Sequence, residues 1–327
     1  MKIEGFAGNI PPIVPIKTRQ ILLWICLSIF FFTFVFWFPA GGFIGGILAS
    51  FPSSFAVYQW GIPSGLIVPV GTLLSGGVVF AILGGVAALP YFGLFLLMGS
   101  LIGLNGRINR SLDYSVFMPV AIVFISGATM FWLQVRNVEE GSLWDTLARR
   151  VAQTVVLIAK EHGNGNVKIT PYVEEQIGQA VHFMVRLLPG ISFASLLLTG
   201  AINALATRRY AEKQGFSLPK WQETAKWRSS DWLVWFLIGA GFLTLVPASR
   251  ILGLNILIAL GTIYLFQGLS IMLFFLSQWR LPLWSRILLT VFAITQQYLA
   301  IALALLGLFD VWFDIRRIET KTKDIKE

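Results

Sequence analysis

Two histidines, His162 and His182, and one cysteine, Cys26, are all that the chain offers for imidazole or thiol chemistry. His162 precedes a Gly/Asn-rich stretch and His182 stands at the edge of an apolar run, so neither an HExxH motif nor a histidine-based relay can be assembled from them. A lone thiol closes no internal disulfide and builds no CxxC metal site. No GxSxG, Walker or GxGxxG pattern opens a soluble α/β unit. The expectation is a protein that is not an enzyme and holds no cofactor or metal. An ATP-driven function would borrow its motor from another chain.

What remains is polar chemistry in apolar surroundings. Arg186, Asn203, Asn255, Gln267, Gln296 and Gln297 interrupt long hydrophobic runs, and Asp310 and Asp314 close the last of them just before Arg316 and Arg317. A charge at the centre of a bilayer costs at least about 2.5–3.5 kcal/mol, so Arg186 and Asp310 each need a reason. Arg186 can snorkel to the interface opposite Arg208. Asp310 and Asp314 share a helical face ahead of two arginines, a pattern that favours an ion-pair cluster at the membrane edge over a proton relay. Asn and Gln hydrogen-bond without ionising. Bonds between helices and recognition of a solute both remain open for Asn203, Asn255, Gln267, Gln296 and Gln297, and Trp60 is a further candidate contact.

The elements that must position these groups are membrane helices. From Gln20 to Gly106 there is no Asp, Glu, Lys or Arg. Hydrophobic residues make up 56% of the chain and charged ones 13%, where soluble domains carry about a quarter charged. Backbone groups in lipid must bond internally, and long continuous apolar runs are the mark of helices rather than of a barrel. The fold class is all-α: a polytopic membrane helix bundle. The candidate segments are 21–38, 41–59, 62–83, 87–105, 114–135, 182–207, 231–247, 251–277 and 285–311. The run at 21–38 is too long for a signal-peptide core and reads as a retained first helix.

The net charge of +9 would suggest nucleic acid in a soluble protein, but here the basic residues flank apolar segments. They serve orientation instead, and no nucleic-acid partner is expected. Nine crossings leave Lys and Arg evenly divided between the two sides. If 231–247 dips in and returns, eight crossings place 17 basic residues inside and 8 outside. Eight spans with both ends inside is the favoured count, and nine the alternative.

Between the halves lies a polar insertion, 136–181, so the chain reads as a single membrane domain, 1–327, made of a glycine-rich helical half (1–135), this insertion and a C-terminal half (182–327). Leu143, Leu147, Val151, Val155 and Ile158 fall on one helical face, which predicts an amphipathic helix lying on the membrane surface. Thr170-Pro171 with Glu174 and Glu175 predicts a new helix start, and Pro189 a kink within that helix. Small residues at packing intervals, Gly41 with Gly45, Gly42 with Gly46, Gly71 with Ser75 and Gly99 with Gly103, predict close helix contacts, with a role in lining a solute path as the alternative. Prolines at 52, 63, 69 and 90 add breaks of the kind that line cavities. A pocket is expected between segments 41–59 and 62–83, near Trp60.

The run from Asn255 through Tyr264 to Phe266-Gln267-Gly268-Leu269-Ser270, and the closing stretch from Leu306 to Arg317, resemble the YybS-like family of bacterial predicted membrane proteins. The likeness extends over most of the chain, including the proline and Asn203 of segment 182–207 and Phe216 to Pro219. That family's first half is similar to the membrane-embedded solute-binding subunits of energy-coupling factor transporters and, more distantly, to the rod-shape scaffold MreD. The resemblance implies a multi-pass protein of the bacterial cytoplasmic membrane. It further implies either a solute-binding subunit that works with a transporter energising module or a scaffold that packs on other membrane proteins. The extra C-terminal helices exceed a six-helix solute-binding subunit, and no binding motif for a particular solute is visible. The lipid bilayer is a partner in both cases.

Overall fold

A computed structural model of the chain describes residues 17–37, 46–135, 143–162, 170–216, 218, 225, 227–279 and 281–316. Every regular element among them is helical: α1 Thr18–Trp37, α2 Phe51–Trp60, a 3-10 turn Ser64–Leu66, α3 Ile67–Leu83, α4 Leu89–Arg107, α5 Leu112–Val135, α6 Leu143–His162, α7 Pro171–Lys213, α8 Leu233–Leu245, α9 Arg250–Gln278, α10 Leu283–Thr295 and α11 Gln297–Phe313. The all-helical membrane architecture is therefore as the hydrophobic pattern predicts.

The eight or nine crossings expected are reached only in part. Among the described residues, five helical stretches are long and apolar enough to span a bilayer: Ser64–Leu83, Val86–Arg107, Leu112–Gln134, Pro171–Lys213 and Arg250–Gln278. A sixth exists only if α10 and α11, bent by 99° at Gln296, count as one crossing. The described part of segment 41–59, residues 46–59, is not one continuous helix, since 48–50 form a turn. Its described helix, α2, has 10 residues, about 15 Å of rise against a hydrocarbon core of about 30 Å. Every residue of α2 from Pro52 to Trp60 is buried and Phe51 is half-buried, so the helix is enclosed by protein along nearly its whole length.

The chain forms two compact units. The first comprises Met1–Thr129 and Ser195–Glu223, the second Met130–Ala194 and Thr224–Glu327. In the first, α2 packs on α4, and α1, α2 and α3 pack on one another. Phe80, Phe92 and Leu96 form a buried core joined by Phe32 and Leu89. Gly99 and Gly103 explain the α2–α4 approach, since a Cβ at either would overlap the backbone carbonyl of Ser50 or Ser54. In the second unit, α9 packs on α8 and α11. There a Cβ at Gly268 would collide with the Leu303 carbonyl, and one at Gly307 with that of Tyr264. Small residues thus bring backbones into direct contact, as in close-packed membrane helices generally.

α7 starts where the sequence places it. The Glu174 amide donates to the Thr170 carbonyl and the Val173 amide lies 3.4 Å from the Thr170 hydroxyl. The helix runs through Pro189 for 43 residues, about twice the length a crossing requires. α6 docks along its first turns rather than standing alone. Ala148, Val181 and Val185 are the buried contacts, with Trp144, Leu147, Ala152 and Ile177 around them, while Val151, Val155 and Ile158 stay exposed.

Candidate functional site

The short helix α2 is the centre of the first unit. An aromatic set surrounds it: Trp24 lies 5.9 Å from Phe51 and 5.5 Å from Phe55, and Tyr210 meets Phe55 edge-on at 4.6 Å. Asn203 donates from Nδ2 to the Ile47 carbonyl at 2.6 Å, and Ser54 and Thr207 share a 2.8 Å hydroxyl contact. Asn203 therefore fastens α7 to the chain entering α2.

Where α2 ends, its last carbonyls have no partner within the helix and carry the negative end of its dipole. Arg107, the last residue of α4, fills that role. Its Nη1 donates to the carbonyls of Tyr58 at 2.8 Å and Gln59 at 3.0 Å. Gly61 follows with φ of +71°, and a Cβ there would sit 2.9 Å from Arg107 Nε. A side chain at 61 is thus disfavoured by both backbone conformation and space.

Around this helix lie buried polar atoms with no hydrogen-bond partner in the protein: the hydroxyls of Ser28 (α1), Ser50, Ser53 (α2) and Thr72 (α3), Trp60 Nε1, Asn105 Nδ2 and Asn203 Oδ1. Ser28, Ser50, Ser53, Thr72 and Asn203 have zero exposure. Leaving such a group unpaired costs about 1–3 kcal/mol. Buried polar groups are otherwise almost always hydrogen-bonded, so each of these atoms calls for an explanation.

The second unit holds a different polar centre, in which most of the groups bond one another and Arg316 Nε is left without a partner. The Asp310 carboxylate accepts from Arg316 Nη2 at 2.9 Å, Gln267 Nε2 at 3.1 Å and the Ile315 amide at 2.9 Å. Arg316 Nη1 also donates to the carbonyls of Ala225 and Trp227 and to the Ser270 hydroxyl. The Ser229 hydroxyl and amide donate to Gln267 Oε1. Asp310 and Arg316 are each 1% exposed at the side chain. This network ties the end of α11 to the strand of chain before α8.

Asn255 has a third role. Its Oδ1 accepts from the Gly190 amide at 2.6 Å while its Nδ2 donates to the Arg186 carbonyl at 3.0 Å. These two backbone groups are a helical i, i−4 pair beside Pro189, where the missing N–H weakens the ladder. A carboxamide from α9 thus braces α7 at its proline.

Of the other residues singled out from sequence, Gln296 and Gln297 are exposed at the α10–α11 bend. Arg186 faces Asp145 of α6, whose carboxyl is held below its ordinary value chiefly by a 2.6 Å hydrogen bond from His182 Nε2, with Arg186 and Arg149 adding to the effect. Asp314 ends α11 in a left-handed conformation. Arg317, Gly41, Gly42 and Gly45 lie outside the described residues, as does the His162 side chain. Trp60 is buried at 2% exposure. Sequence reasoning missed Arg107, Ser28 and Thr72. Arg107 closes an apolar run and reads as an interfacial charge, and nothing in the sequence separates an unpaired hydroxyl from one bonded to its own helix. Among the described residues no group of three or more His, Cys, Asp and Glu could hold a metal ion.

The model of a family described as "Predicted membrane protein (DUF2232)" matches residues 25–311. No curated protein and no solved structure matches the chain.

Proposed function

Because the chain belongs to the DUF2232 family of predicted membrane proteins, we propose that it serves as a solute-binding, transport-associated subunit of the bacterial cytoplasmic membrane, with neither an ATPase nor a catalytic centre of its own. The observation that carries this reading is the set of buried, unpartnered polar groups around α2, above all Ser28, Ser53 and Thr72. A helix that serves packing alone gains nothing from such groups, since each lowers stability unless something bonds it. The resemblance of the first half to solute-binding subunits of energy-coupling factor transporters points the same way. The absence of a nucleotide-binding motif from the sequence makes an energising module the partner to seek.

A scaffold role is the second reading, favoured by the α2–α4 seam, where Gly99 and Gly103 bring two backbones together. The two are separated by extracting the purified protein from lipid nanodiscs and identifying released small molecules by mass spectrometry. A solute-binding subunit releases a compound that is lost from the Ser53→Ala/Thr72→Val variant while the fold survives. A release profile identical to that of an unrelated membrane protein, from parent and variant alike, refutes solute binding.

A further inference from the structure

We infer that the buried hydroxyls of α1, α2 and α3 form a site for an uncharged polar molecule carrying at least one hydrogen-bond acceptor; this rests on the solute-binding reading above and names its ligand class. In an apolar helix a Ser or Thr normally bonds back to the carbonyl one turn earlier. Thr33, Ser75, Ser100 and Thr129 do so, donating to Ile29, Gly71, Leu96 and Ile125 at 2.8, 2.6, 2.8 and 2.8 Å. Ser28, Ser53 and Thr72 do not, although each is fully buried.

These three belong to three helices that pack on one another. A Cβ at Gly71 would lie 2.8 Å from Ile25, which puts Thr72 and Ser28 within a turn of the same level of the α1–α3 pair. Ser28 shares a face of α1 with Trp24, and Trp24 meets Phe51 edge-on and Phe55 at a tilt, so that face looks toward α2. On α2, Ser53 and Trp60 are two turns apart on one side, and the Trp60 Nε1 donor is also unpartnered.

The charge inventory sets the ligand class. Among the described buried residues of the first unit there is no carboxylate, and the buried cation, Arg107, donates to the Tyr58 and Gln59 carbonyls. A cation entering among these helices meets no counter-charge, and an anion would have to draw Arg107 from the end of α2. Bringing an unpaired ion into such surroundings is strongly unfavourable. An uncharged hydroxyl, amide or heterocycle exchanges water for Ser, Thr and Trp donors at little cost. Hydroxyls give and accept, whereas the indole only gives, hence the need for an acceptor on the ligand.

The test uses the full chain in nanodiscs with Cys26→Ser as background and Ser53→Cys, Thr72→Cys or the exposed Gln296→Cys added singly. Each is treated with three methanethiosulfonates of similar size: neutral hydroxyethyl, cationic trimethylammonium-ethyl and anionic sulfonatoethyl. The thiolate attacks the reagent's thiol sulfur, a mixed disulfide forms and methanesulfinate leaves, so intact mass reads the rate directly. At positions 53 and 72 the neutral reagent is expected to react at least tenfold faster than either charged one, while position 296 takes all three. Equal rates for charged and neutral reagents at 53 and 72 overturn the ligand class and leave solute binding standing. No reaction at either position, with 296 reactive, overturns both. Variants are compared only when they elute as the parent does on size exclusion, and two independent positions guard against one misfolding.

Discussion

Replacing Arg316 by alanine strands a carboxylate. In the folded protein Asp310 has one cationic partner, Arg316 Nη2 at 2.9 Å, and two neutral donors, Gln267 Nε2 and the Ile315 amide. At 1% exposure on each side chain, water cannot replace the guanidinium. Removing one member of such a buried pair costs about 3–5 kcal/mol, because the other charge stays behind uncompensated. The carbonyls of Ala225 and Trp227 lose a donor in the same step, which sets the expectation near the upper end. Removing both charges with Asp310→Leu/Arg316→Ala takes away the stranded ion, so the double variant falls less far than the sum of the singles, with a coupling of about 2 kcal/mol or more. Unfolding of the purified full chain in detergent, followed by tryptophan fluorescence, measures all four corners of the cycle. An Arg316→Ala variant within about 0.5 kcal/mol of the parent, the range of ordinary surface changes, or strictly additive singles, would refute the picture of a charge-balanced latch.

Three further outcomes follow from other contacts. Gly103→Val drives a branched side chain into the Ser54 carbonyl and is expected to cost about 1–3 kcal/mol, whereas Gly178→Ala, with open space around it in the interior of α7, is expected to raise stability in thermal unfolding by about 0.5–1 kcal/mol. Asn255→Leu removes both bonds that brace α7 at Pro189, about 0.6–1.7 kcal/mol each, and hydrogen exchange should rise at Gly190 before it rises elsewhere in α7. The Asp145 carboxyl titrates lower in the folded chain than unfolded, chiefly through His182. Its contribution is therefore whole above the ordinary Asp value of about 3.9 and is lost as pH falls through the lower folded value. Limited proteolysis of the α6–α7 hairpin should accelerate below about pH 4, and Asp145→Asn should flatten that dependence; an unchanged profile in the variant rejects it.

Much of the architecture was legible because lipid imposes a narrow grammar. Uncharged runs found the helices, Thr170-Pro171 found the start of α7, and Gly99 with Gly103 found a true backbone contact. That α2 is a short buried helix was not legible, for a physical reason. Hydropathy reports exclusion from water, and α2 is excluded from water by protein along nearly its whole length rather than by lipid. The same blindness hid the bend at Gln296, since two polar residues inside an apolar run read equally well as contacts in a straight helix. Arg107 lay at a run's edge, where a cation is expected at the membrane interface, and only the fold shows it reaching back to the end of α2. Asp310 and Arg316 were grouped correctly by spacing. Their link to Gln267 was not, because it joins separate helices and no local pattern encodes it.

The first unit is discontinuous in sequence: Ser195–Glu223 completes what Met1–Thr129 begins. Trimming the chain from one end can never isolate it, because Asn203, Thr207 and Tyr210, which grip α2, arrive only after the intervening stretch. Dissection calls for two co-expressed fragments, and C-terminal deletions cut into the second unit alone until they pass Glu223.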